Sequence, residues 1–305
     1  MIILEEVSKS FEDVVAVSRL SAHIKENSIT GFLGPNGAGK STTLKMIMGE
    51  VKPSLGTVKI MGENPWNNAT IKRKLGYVSE HEDLYLWMTG IQFVTSLARL
   101  CMPRERAKNA AKEALQLVNL NTKKKIGAYS KGMKQRVKLA AAIVHSPDLL
   151  LLDEPFQTLD PIGRKEMKDL IMDLRTEHGV TVLVSSHILY EIDQISTHML
   201  LIHRGQTIAQ GRPTDIVELI DQYPHTIVIK SDKQEDLQNL AKSLLDEKVV
   251  RTVSVNTPSE LQIITENPSY FYQAVTSIVA KQNLKINHLE PQTDNVESIF
   301  EYLTN

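Results

Sequence analysis

Short apolar, β-branched runs alternate with stretches of helical period along the first two thirds of the chain. Ile2 to Val7, Ile29 to Leu33, Thr57 to Ile60, Tyr77 to Ser79, Leu149 to Asp153, Val180 to Ser185 and Met199 to His203 read as strands. Helical patterns lie between them, which predicts an α/β domain around a largely parallel sheet. From Thr89 to about Leu120, and again from Ser130 to His145, the period is helical with a break at Pro103, so a helical block of about residues 85–145 interrupts the strand series. The pattern changes near Asp221 to His225. Beyond it come strand (226–230), helix (233–246), strand (249–255), strand (260–265), helix (269–282), strand (284–289) and a terminal helix from Asn295. That βαββαβ order predicts a small α+β ferredoxin-like domain. The domain reading is therefore 1–222 followed by 223–305, the boundary falling after a helix that begins at Pro213.

The composition suits this picture. With 305 residues, 42% hydrophobic and 23% charged, the chain is long enough for one large or two unequal domains with real cores. The 35 basic and 36 acidic side chains leave a net charge of -1, so there is no basic footprint and no nucleic acid is expected as partner. No run of about 18 apolar residues lacks a charge. Glu5 and Glu6 stand where a signal peptide would continue its apolar stretch, so no export signal is expected. The single cysteine, Cys101, excludes an intrachain disulfide and reads as a small buried hydrophobe.

Directly after the apolar run ITGFL stands GPNGAGKST, comprising Gly34, Pro35, Asn36, Gly37, Ala38, Gly39, Lys40, Ser41 and Thr42, and a helical pattern follows it. Glycines without Cβ atoms let the backbone curl and aim N–H groups at phosphate oxygens, and the following helix adds its positive end. Lys40 can reach the outer phosphates and Ser41 can offer its hydroxyl to Mg²⁺. A second element is LLLLDEP, a buried-strand pattern ending in Asp153 and Glu154. Beside a phosphate loop, Asp153 suits the Mg²⁺ shell, and Glu154 suits a general base acting on water. Alone, the pair would read as a cap or a solvated turn.

Four further elements make the sequence resemble an ATP-binding cassette ATPase over about residues 1–220. YSKGMKQR, Tyr129 to Arg136, resembles that family's signature, with Ser130 and Gly132 at the positions that contact the γ-phosphate held by the other protomer; Lys131 and Met133 replace the commoner glycine and glutamine. TLDP has Leu159 and Asp160 matching the loop that touches the partner protomer in that family. His187, after TVLVSS, matches the switch histidine, and Phe11 falls where an aromatic stacks on adenine. Glu80 occupies the place of a glutamine that touches Mg²⁺ and the membrane subunit. The SKGM form resembles cassettes that power drug, sodium, copper or polysaccharide exporters with separate membrane subunits.

The resemblance implies ATP and Mg²⁺ as cofactors, two ATP molecules sandwiched in a head-to-tail homodimer, and hydrolysis coupled to transport. It also implies integral membrane permease subunits as partners and a cytoplasmic, peripheral place on the inner face of the cell membrane. The alternative is a soluble cassette that remodels a protein or nucleoprotein assembly. The C-terminal domain stays open between a regulatory module, a dimerisation surface and a dock on the membrane partner.

Overall fold

The computed structural model describes residues 1–81, 84–216, 225–246 and 250–291. The chain divides into two compact units, Met1–Pro213 and Thr214–Asn305. The boundary expected between 222 and 223 lies outside the described residues, as does the terminal helix expected from Asn295; the helix expected from Pro213 is described over 213–216.

The first unit is built on a six-stranded sheet. Its strands are β3 (Ile29–Leu33), β5 (Leu75–Val78), β6 (Leu149–Leu152), β7 (Thr181–Ser186), β8 (His198–His203) and β9 (Gln206–Gly211), in the order β5-β6-β7-β3-β8-β9. All neighbours run parallel except β8 and β9. The four leucines of β6 and all six residues of β7 are buried, as expected for central strands covered on both faces. Burial of each such leucine contributes about 1.5–3 kcal/mol. A three-stranded antiparallel sheet, β2-β1-β4, is formed by β1 (Ile2–Phe11), β2 (Val14–Ile24) and β4 (Leu55–Ile60). Its buried residues, among them Ile2, Leu20 and Ile60, join Phe32 and Leu151 of the main sheet and Leu44 of the helix that follows β3 in one core.

Two strands are additions to the sequence reading. In β2, Leu20, Ala22 and Ile24 are buried while Arg19, Ser21 and His23 face out, an alternation hidden by the polar half of the strand. The strand β9 is a mostly polar edge, joined to β8 by a two-residue turn at Arg204 and Gly205, both at positive φ.

The helical block consists of α3 (Gly90–Cys101), α4 (Arg104–Leu117) and α5 (Lys131–Ile143), with the break at Pro103 as expected. Thr89 and Gln92 form a reciprocal capping box at the start of α3. Cys101 is exposed, which corrects the buried reading: by period it continues the apolar face of Phe93, Val94 and Ala98, but it is the last residue of α3, where the helix end leaves it uncovered. Lys123, Lys124 and Lys125 are all exposed in a turn.

In the second unit, β10 (His225–Lys230), β11 (Thr252–Thr257), β12 (Glu260–Thr265) and β13 (His288–Pro291) form an antiparallel sheet in the order β11-β12-β10-β13. With helices at Gln234–Asp246 and Pro268–Gln282, this is the ferredoxin-like arrangement. Ile227, Ile229, Leu240, Leu261, Ile263 and Phe271 form its core. Phe271 is fully buried, whereas Tyr270 and Tyr272 are exposed, so the aromatic triplet packs through its middle member.

Candidate active site

Parallel register gathers the candidate residues at one edge of the main sheet. Leu33 pairs with Ser186 and Leu152 with Val184, so β3, β6 and β7 end together, and the loops that follow them converge. From β3 issues the 34–42 loop, leading into α1 (Lys40–Ile47). After β6 come Asp153 and Glu154, and after β7 comes His187. The Asp153 N–H donates to the carbonyl of Val78 at the end of β5, which brings the exposed Glu80 to the same edge two residues later.

Two of the loop's glycines, Gly34 and Gly39, are dictated by close approach. Gly39 has φ 99°, and a Cβ there would stand 2.5 Å from the Ala16 carbonyl oxygen. A Cβ on Gly34 would meet the Ile202 carbonyl at 2.5 Å. Asn36 and Gly37 are exposed, Pro35 and Ala38 are buried, and Ser41 and Thr42 are half-buried.

Lys40 is 6% exposed, and its ammonium is turned onto its own loop. Nζ donates to the carbonyls of Gly34 at 2.6 Å and Pro35 at 3.2 Å, and lies 3.3 Å from Glu154 Oε1. The last is an ion-pair distance without hydrogen-bond alignment, so buried Oε1 has no hydrogen-bond partner among the described residues. The other oxygen, Oε2, stands 2.9 Å from His187 Nδ1. Glu154 itself sits at φ 47°, a left-handed conformation that costs a glutamate about 1–3 kcal/mol and persists only where neighbours impose it.

Part of that imposition comes from Ser185, which sequence reasoning missed. Its Oγ donates to Asp153 Oδ1 at 2.7 Å and accepts from the Glu154 N–H at 3.0 Å. Asp153 is 3% exposed; its carboxylate and the Ser41 hydroxyl are hard oxygen donors, the ligand chemistry Mg²⁺ takes. The signal for Ser185 was present in TVLVSSH, where two hydroxyls close an otherwise apolar buried strand.

The signature residues lie elsewhere. Ser130 caps α5 by accepting from the Met133 N–H at 3.3 Å. With Gly132, Leu159 and Asp160 it lines a cavity of about 410 Å³, to which no residue of the 34–42 loop contributes. Asp160 caps α6 (Pro161–Thr176), accepting from the Gly163 N–H at 2.9 Å. Gln135 donates from Nε2 to the Pro155 carbonyl at 3.0 Å, tying the signature helix to the turn after Glu154. Phe11 is 46% exposed at the end of β1, with Lys9 Nζ 4.9 Å from its ring centre.

A parallel-sheet core, a phosphate loop opening a helix after β3 and an acid pair at the end of β6, with β7 between the two strands, define a nucleotide-hydrolysing domain of the phosphate-loop class. The ABC transporter family profile matches residues 17–157. An uncharacterised ABC transporter ATP-binding protein of Bacillus subtilis, YxlF, is 32% identical over 98% of both chains. The bacitracin transport ATP-binding protein BcrA of Bacillus licheniformis is 41% identical over 67% of both. Among solved structures, cbiO1 of Clostridium perfringens, part of the ABC transporter complex cbiONQ, matches 71% of this chain and 90% of its own with TM-score 0.65 and 26% identity. The dimeric bacterial ABC transporter cassette MJ0796 matches 70% of this chain and 99% of its own with TM-score 0.64 and 26% identity. The chain belongs to the ABC transporter family, as an ATP-binding subunit that hydrolyses ATP.

Proposed function

We propose that this chain is the subunit that powers a membrane exporter, through ATP-driven closure of a dimer of two copies and its reopening on hydrolysis. The observation that carries the reading is the separation of two half-sites. Glu154 contacts both Lys40 and His187, whereas Ser130 and Gly132 open onto a cavity shared with Leu159 and Asp160. One copy thus offers a phosphate site on one side and a capping surface on another, and two copies related by a two-fold axis complete both sites.

In this reading the 34–42 loop and Lys40 bind the ATP phosphates, Phe11 stacks on adenine, and Ser130 and Gly132 cap the γ-phosphate of the partner's ATP. Glu154 Oε1, buried and without a hydrogen-bond partner among the described residues, takes the proton of the attacking water. His187, held by Oε2, stabilises the charge developing on the γ-phosphate. Ser41, Asp153 and Glu80 would hold Mg²⁺, which when bound neutralises phosphate charge.

The membrane partner fits beside Glu80. Tyr85, Leu86 and Trp87 are 57%, 50% and 67% exposed, a contiguous apolar patch of the kind that marks an interaction surface. Among the described residues no helix is long and apolar enough to cross a membrane, so separate permease subunits would hold the chain on the inner face of the membrane. The bacitracin transport proteins among the relatives support the transport reading, and the SKGM signature supports export. Residues 223–305 form an accessory domain in this proposal.

The test is a pull-down from detergent-solubilised native membranes with tagged Glu154→Gln protein, ATP and Mg²⁺. Stoichiometric recovery of a multi-span membrane protein is expected. Recovery of soluble partners alone, or of only a second copy, overturns the transporter reading in favour of a remodelling cassette.

A further inference from the structure

A chain of polar contacts leaves the Leu159–Asp160 loop and arrives at the backbone on both sides of His187. Asp160 fixes the first turn of α6, and Arg164 stands in that turn. Arg164 Nε donates to the Leu159 carbonyl at 3.1 Å, and its Nη1 lies 3.3 Å from Glu191 Oε1. Glu191 belongs to α7 (Leu189–Ile192), and its side chain is 6% exposed. Its second oxygen, Oε2, accepts from Ser186 Oγ at 2.8 Å. Ser186 is fully buried, and its Oγ also accepts from the Ile188 N–H at 3.0 Å. Residues 186 and 188 are therefore both bound to one hydroxyl, and His187 is the residue between them.

The energetics make this chain stiff. A carboxylate as buried as Glu191 is costly to leave without a cation and hydrogen-bond donors, so its two oxygens stay engaged with Arg164 and Ser186. The guanidinium is a fixed fork, which couples the positions of Leu159 and Glu191 more tightly than a single-point charge would. A displacement of the Leu159 carbonyl would therefore shift the guanidinium, whose side chain is itself 41% exposed, and through it the Glu191 carboxylate and the Ser186 hydroxyl.

We propose that Arg164 and Glu191 are positioning residues that transmit the state of the Leu159–Asp160 loop to His187 of the same chain. This rests on the dimer reading, in which that loop faces the partner. Each copy would then set its own histidine for hydrolysis only when its loop is seated, which links the two ATP sites without any group shared between them.

The experiment is steady-state ATPase kinetics on the full chain with Arg164→Met, Arg164→Lys, Glu191→Gln and the Arg164→Met/Glu191→Gln pair. Expected for Arg164→Met and Glu191→Gln is a kcat about tenfold down with KM for ATP within about twofold, the signature of lost transition-state positioning rather than lost binding. Arg164→Lys recovers part of kcat, and the pair is no slower than the poorer single variant, because both break one chain. In a His187→Ala background, Arg164→Met changes the residual rate less than about twofold. Additive losses, an equal rise in KM, an unchanged kcat, or the same loss in the His187→Ala background would each overturn the proposal. Glu191→Gln keeps the side chain's shape and an acceptor for Ser186, so the question stays answerable where Arg164→Met fails to fold. Sedimentation of Glu154→Gln and Glu154→Gln/Arg164→Met with ATP separates the two readings. Dimers of both are expected; a monomeric Glu154→Gln protein removes the dimer reading, and with it the partner-facing part of the proposal, whereas dimers alongside unchanged Arg164→Met kinetics remove the relay alone.

Discussion

Lys40 Nζ and Glu154 Oε1 stand 3.3 Å apart with both side chains 6% exposed, so the cation of the phosphate loop faces the candidate base directly. A buried pair of this kind is held because neither charge can be left alone in a low-dielectric site. In the proposed reading, arriving phosphates would offer Lys40 a stronger partner, and its release from Glu154 would free the carboxylate for water, making nucleotide binding and activation of the base one event.

Replacing Lys40 by alanine removes the ammonium and leaves Glu154 buried beside the loop. Nucleotide affinity is expected to fall about 10²-fold or more, since a charge-assisted phosphate contact is lost. Equilibrium titration with a fluorescent ATP analogue measures this, and affinity within threefold of the parent contradicts it.

Glu154→Gln keeps the side chain's volume and its contact with His187 but not its basicity. ATP binding is expected to persist while turnover drops about 10²–10⁴-fold, the range of general-base contributions. Sedimentation with ATP should show a stable dimer. Near-parental turnover would transfer the base role to another group.

If each site needs two copies, the parent's ATPase rate per mole of protein rises with concentration until the dimer saturates. Rates measured over a hundredfold dilution series decide the matter. A flat specific activity would mean that one copy suffices.

Ser185→Ala removes a donor to Asp153 and an acceptor for the Glu154 N–H, both buried. The unpaired groups should lower stability by about 1–3 kcal/mol. Because the same hydroxyl helps hold Glu154 at positive φ, kcat should fall with little change in KM. Urea unfolding and ATPase kinetics on the same preparation read both effects.

His145, half-buried with Nε2 3.0 Å from the Leu75 carbonyl oxygen, has its pKa lowered by burial, against the opposing pull of that backbone contact. His198 is lowered by burial and by Lys25. A histidine depressed in the folded state binds its proton more readily when unfolded. Stability is therefore full above the unfolded pKa of about 6.5 and declines as pH falls toward the folded values. His145→Gln, which keeps an amide donor for Leu75, should flatten this decline below about pH 6.5, by no more than about 1.4 kcal/mol per pH unit. Urea midpoints for the variant that track the parent at every pH would exclude a contribution from His145.

Much of the fold and site lay open in the sequence because local physics set it. The run ITGFL followed by glycines and a lysine can only leave a buried strand through a tight, N–H-rich turn, and the continuous leucines of 149–152 belong in a doubly covered strand. The helix breaks at Pro103 and the caps at Thr89 and Asp160 are likewise written in a few adjacent residues. Tertiary structure decided what adjacency could not. The exposure of Cys101, the polar edge strand 206–211, and the choice of Ser185 rather than another hydroxyl to bridge Asp153 and Glu154 depend on which helices and strands become neighbours. So does the path from Arg164 through Glu191 to Ser186, whose members are separated along the chain and meet only where α6 and α7 flank the end of β7. Sequence determines the short-range conformational preferences; side-chain contacts between distant segments exist only once parallel register has aligned the strand ends that carry them.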